Sequence, residues 1–94
     1  MRLYDDEKTL LLRLLKQVKG EVYLFGSRVD EQKTGGDIDL LILSSEEPAQ
    51  LAEQLKLAFL YELDSRLDVI VLNPNKLSTE QAAFINTLNK VRLH

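Results

Sequence analysis

The sequence predicts a small α/β (α+β) sandwich, a mixed sheet of three or more strands with helices packed on it. Short β-rich runs alternate with segments of helical periodicity, in the order helix, strand, strand, helix, strand, helix. The run Ile38 to Leu43 is apolar on both faces, as in a strand covered from both sides. The chain has 94 residues, 45% of them apolar, and no cysteine. That suits one domain over residues 1–94, resting on packing without disulfides or thiolate metal sites.

The first helix is expected from Asp5 to Lys19, where Leu10, Leu11, Leu14, Leu15 and Val18 recur on one face. Asp5, Asp6 and Glu7 at its start and Lys16 and Lys19 at its end complement the helix dipole. Gly20 is a natural stop. A strand follows over Val22 to Phe25, then a turn or short helix through Gly26, Ser27 and Arg28. Asp30 to Gly36 is a polar loop, and Ile38 to Leu43 the second strand. Ser44 or Ser45 is the expected cap of the next helix, with Pro48 in its first turn. Leu51, Ala52, Leu55, Ala58 and Phe59 form its inward face, and Leu57 and Leu60 fall on the exposed side. Leu67 to Leu72 is a third strand, closed by Asn73-Pro74-Asn75. The last helix starts near Ser78, which with Gln81 has the spacing of a capping box. Phe84, Ile85, Leu88 and Val91 supply its apolar stripe.

Composition excludes several roles. The formal charge is −3 and the twelve Lys and Arg are scattered, which argues against direct nucleic-acid binding by charge. No apolar run approaches the roughly 20 residues that span a bilayer. The N-terminus carries acids before its leucines and lacks a small-residue cleavage site, so a cytoplasmic location is expected.

The chemistry gathers in LFGSRVDEQKTGGDIDLLIL, residues 24–43. Alternation along a strand points Asp37 and Asp39 to one face, roughly 7 Å apart. Two carboxylates this close repel, and invite a shared proton or a cation. A hard divalent ion such as Mg²⁺, which takes oxygen ligands and keeps waters for a substrate phosphate, fits best. Asp68 shares a face with Ile70 and Leu72 on the third strand. Beside the Asp37 strand in register, it would complete a trio able to hold two metals about 3.5–4 Å apart. Gly26 lets backbone approach a ligand closely, Ser27 offers a hydroxyl and an N–H, and Arg28 a fork of donors for phosphate. The turn is not a Walker P-loop, because no Gly-Lys-Ser/Thr follows it.

Gly26-Ser27, nine intervening residues, then Asp37-Ile38-Asp39 at the head of an apolar strand resembles the signature of the DNA-polymerase-β-like nucleotidyltransferases. The match is close over residues 21–43 and, with Asp68, reaches about residue 72. Within that superfamily the chain resembles the minimal nucleotidyltransferases (MNT), commonly antitoxin partners of helical HEPN proteins. The resemblance implies Mg²⁺-dependent transfer of AMP from ATP to a hydroxyl, a tyrosine of the HEPN toxin in the better-understood pairs. It implies Asp37 and Asp39 as ligands of both metals, and Asp68 as the acid that completes the metal site and helps deprotonate the acceptor. Gly26 and Ser27 would hold the β- and γ-phosphates, with Arg28 as a further nucleotide-binding residue. Gly35-Gly36 stands where family members often carry a serine, which should leave metal binding intact and the loop more mobile.

Competing structural roles are open for several residues. Asp68 has an ion pair with Arg66 as its alternative, Arg28 a pair with Asp30 or Glu31, and Ser27 the cap of a short helix. Asp64 is the fallback third acid, although a helix end suits a turn residue. Tyr4, Tyr23 and Tyr61 are expected as core or rim aromatics, and His94 as a disordered terminus. Two function classes remain: an enzyme modifying a partner, and a binding module neutralising a toxin by occlusion. A small-molecule nucleotidyltransferase needing a second chain is a third reading. Spare leucines on the outer helices suit a homo- or hetero-oligomer.

Overall fold

The computed structural model describes residues 1–33 and 35–94. Its elements are α1 (Asp5–Leu15), β1 (Glu21–Phe25), a 3-10 helix (Gly26–Val29), β2 (Ile38–Leu43), α2 (Pro48–Leu63), β3 (Leu67–Leu72), α3 (Thr79–Thr87) and β4 (Lys90–Arg92). The strands form one mixed sheet in the order β3-β2-β1-β4. β2 runs parallel to β3, as the intervening α2 allows, and β1 is antiparallel to both β2 and β4.

One sheet face carries the main core. Val22 and Leu24 of β1, Ile38, Leu40 and Ile42 of β2 and Leu67 of β3 meet Leu10, Leu11 and Leu15 of α1 and Leu51, Leu55 and Phe59 of α2. These are the apolar faces expected from the 3.6-residue and two-residue periods. The opposite face carries Phe25, Asp39, Leu41 and Asp68, with Leu41 fully buried. There Phe84 of α3 meets Phe25 edge-to-face, with ring centroids 6.2 Å apart. The sheet is thus sealed on one side and partly open on the other.

Several local expectations are corrected. The first helix stops at Leu15, and bonds from Gln17 N–H to Leu14 O and from Val18 N–H to Leu15 O tighten its exit while Val18 stays buried. α2 is capped by Glu47, whose carboxylate accepts from the Ala49 and Gln50 amides, and not by Ser44 or Ser45. Ser44 is buried and otherwise engaged, donating to the Lys19 carbonyl and accepting from the Glu46 amide. The last helix ends at Thr87, and Lys90–Arg92 becomes a fourth strand on the free edge of β1, pairing Phe25 with Lys90 and Leu24 with Val91. Edge pairing outweighs the weak helical stripe, since an unpaired β1 edge would leave backbone donors and acceptors without partners. His94 is placed too: its carbonyl accepts from the Val22 amide at 3.1 Å.

The capping box of Ser78 and Gln81 forms as expected, and Leu57 and Leu60 are exposed. Tyr61, at 92% exposure, and Tyr4, at 68%, are surface residues and not core or rim. Tyr23 is half-buried, with the Lys90 ammonium 5.4 Å from its ring centre. Among the described residues no helix is long and apolar enough to cross a membrane.

Candidate active site

The parallel register sets Asp39 directly beside Asp68, and the antiparallel register sets Phe25, which precedes Gly26, across from Asp39 on the other flank. Asp37 lies just ahead of β2 and is exposed, while Asp39 and Asp68 are half-buried. Asp39 and Asp68 belong to the partly open face. Burial pushes the Asp39 carboxyl above its usual range, and the charges of Asp68 and then Asp37 push it further. Asp39 therefore feels the charge of both other acids. Among the described residues Asp68 is not paired with Arg66, and Asp64 sits in the left-handed position that ends α2 (φ 49°), as expected of a turn residue.

The donor set suits a hard divalent cation: clustered carboxylate oxygens whose mutual repulsion a positive charge would relieve. The side chains are gathered without yet forming a cage, because among the described residues no three acidic, thiol or imidazole groups surround a common point at ligating distance.

The glycine–serine turn locks directly onto this cluster. Gly26 has φ 77°, and a Cβ there would stand 2.2 Å from Asp39 Oδ2, so only glycine lets the backbone lie against that carboxylate. Gly36 repeats the device with φ 91°: a Cβ would stand 2.2 Å from Ser27 Oγ. Ser27 lies within the 3-10 helix and does not cap it; the capping position is Phe25, without a side-chain bond. Its hydroxyl instead rests beside the glycine that precedes Asp37.

Arg28 takes neither of the ion-pair partners expected of it. Its guanidinium turns inward, 6% exposed, and grips Glu7 of α1 through two bonds of 2.8 and 2.9 Å, not Asp30 or Glu31. Two further bonds reach the Gly36 and Arg2 carbonyls, both at 2.9 Å. With four hydrogen bonds directed into the fold, Arg28 shapes the loop from behind. Burial raises the Glu7 carboxyl, but the Arg28 hydrogen bonds, the Tyr4 amide and the Arg28 charge together outweigh it and leave the group below its usual range.

Two residues of this architecture escaped the motif reading. Glu7 carries a signal: it lies four and eight residues before Leu11 and Leu15, on the buried stripe of α1, where a charge demands a partner. Arg2 carries none, since its guanidinium bonds to carbonyls of distant backbone.

A family model described as a nucleotidyltransferase domain matches residues 7–94. Among solved structures, a crystal structure of the toxin–antitoxin MntA-HpeT, a double aspartate-to-glutamate mutant, is similar with a TM-score of 0.58. The likeness covers 88% of this chain and 70% of that one at 20% identity, which speaks for the fold alone. No curated protein matches.

Proposed function

Because the chain belongs to the nucleotidyltransferase domain family and has its small polymerase-β-like fold, we propose that it transfers AMP from ATP to a hydroxyl of a partner protein. The acceptor is a tyrosine of a HEPN-type toxin, and the chain acts as the antitoxin. The observation that carries this reading is the register of Asp39 against Asp68, with Asp37 at the strand head and the Gly26–Ser27 turn packed on the same carboxylate. The similar toxin–antitoxin structure adds support, because its two replaced aspartates have the i, i+2 spacing of Asp37 and Asp39.

In this reading Asp37, Asp39 and Asp68 would hold Mg²⁺, which supplies charge neutralisation at the triphosphate. Gly26 and Ser27 offer backbone N–H groups and a hydroxyl to the β- and γ-phosphates. The acceptor oxygen attacks the α-phosphorus, the bond to the bridging oxygen breaks, and pyrophosphate leaves with that electron pair. Asp68 takes the acceptor proton. Arg28 supports this site through the Gly36 carbonyl.

Incubation with labelled ATP, Mg²⁺ and the neighbouring toxin is the test. Label on the toxin that falls by several orders of magnitude with Asp37→Ala plus Asp39→Ala, in a variant that still folds, supports transfer. No label with the native chain, or equal label with the double variant, rejects it. A second reading, occlusion without catalysis, is favoured by the exposed Leu57, Leu60 and Tyr61 on α2. Neutralisation of the toxin by the double variant in a growth assay would select it.

A further inference from the structure

Arg2 lies ahead of the residues the family model matches and belongs to no motif. Its Nε donates to the Asp30 carbonyl at 2.7 Å, and its Nη2 to the Ser27 carbonyl at 2.7 Å and the Gly35 carbonyl at 3.1 Å. One guanidinium thus holds both ends of the segment that separates the glycine–serine turn from Asp37. The main chain joins in, as the Arg2 amide donates to the Arg28 carbonyl at 2.7 Å and the Arg2 carbonyl accepts from Arg28 Nη1 at 2.9 Å. Behind it, Arg28 is anchored on Glu7 and holds the Gly36 carbonyl.

We propose that Arg2 is a positioning residue that fixes the separation of Ser27 from Asp37, and so pre-forms the cradle for a nucleotide triphosphate. This rests on the nucleotidyltransferase reading above. Three carbonyls at three chain positions need a planar fork of donors, which a lysine ammonium cannot reproduce. Without the fork, the two sides of the cradle sample more conformations, and nucleotide binding must supply their ordering. That cost falls on affinity, because the bound complex restores the same geometry before chemistry. The catalytic carboxylates themselves are untouched.

The test compares the whole chain with Arg2→Ala, Arg2→Lys and a control, Arg13→Ala, which removes an ion pair with Glu62 between α1 and α2. Three quantities are read: hydrogen–deuterium exchange of amides in 26–30 and 35–37, the Kd of Mg²⁺-ATP by calorimetry, and KM against kcat. Arg2→Ala should exchange about tenfold faster at those amides and raise Kd and KM about tenfold, with kcat within about twofold, as expected for re-ordering roughly one residue's worth of backbone. Arg2→Lys should recover part of this, and Arg13→Ala should leave all three near native. Unchanged exchange and KM, a fall in kcat at constant KM, or the same effect from Arg13→Ala would each overturn the proposal. Should the native chain bind no Mg²⁺-ATP, the nucleotidyltransferase reading falls, while the exchange comparison still decides whether Arg2 orders the loop.

Discussion

Asp39 is held half-buried against two other carboxylates, and its raised pKa means that folding disfavours its charged form. The stability it contributes is present below the usual carboxylate value of 3.8 and is lost as pH rises through the higher folded value. At neutral pH without Mg²⁺ its charge is therefore a burden on the fold. Asp39→Asn should raise the metal-free melting temperature at pH 7, and Mg²⁺ should narrow the gap; scanning calorimetry with and without Mg²⁺ measures both. Gly26 obeys a different constraint. Gly26→Ala forces a left-handed alanine at a cost of about 1–2 kcal/mol and pushes the Asp39 carboxylate aside. Denaturant unfolding should register the loss, and transfer activity should fall further than stability. The glycines and aspartates were legible because motif spacing marks them. Arg28 was legible only as a candidate, because nothing local distinguishes a phosphate-binding guanidinium from one that turns inward to a helix 21 residues away.

The elements divide in the same way. β2 and β3 fall where β-rich apolar runs place them, and the capping box at Ser78 was readable from two residues. Ser78→Ala should cost about 1 kcal/mol by denaturant unfolding. α1 owes its placement to the buried Glu7–Arg28 pair as well as to its leucines. Glu7→Gln leaves the Arg28 charge without its counter-ion inside the fold and should cost about 3–5 kcal/mol. The pH dependence has the opposite sign to that of Asp39. The lowered Glu7 pKa contributes stability that is present above the ordinary value of 4.5 and lost as pH falls through the lower folded value. Melting curves across that acidic window should slope for the native chain and flatten for Glu7→Gln. β4 and the cap of α2 were missed for one reason: each depends on a contact with a distant segment. β4 takes the free edge of β1, and Glu47 caps because Ser44 is engaged with the Lys19 carbonyl.

Across the whole molecule the sheet is a partition. Two helices seal one face, while the other keeps the acids accessible under partial cover from α3. Mg²⁺ with ATP at about 100 times its Kd should stabilise the native chain by about 2.7 kcal/mol, read as a rise in melting temperature that disappears in Asp37→Ala plus Asp39→Ala. By itself the sequence determined the alternation of elements, the two apolar faces of β2 and the spacing of the glycine–serine turn from the paired aspartates, because these are local periods and offsets along one chain. Only the tertiary structure decided which strand lies beside which, that Asp68 stands level with Asp39, and that Arg2, Glu7 and Arg28 brace the turn. Those are contacts between distant segments, selected by buried charges and open strand edges that find their partners only once the sheet has closed.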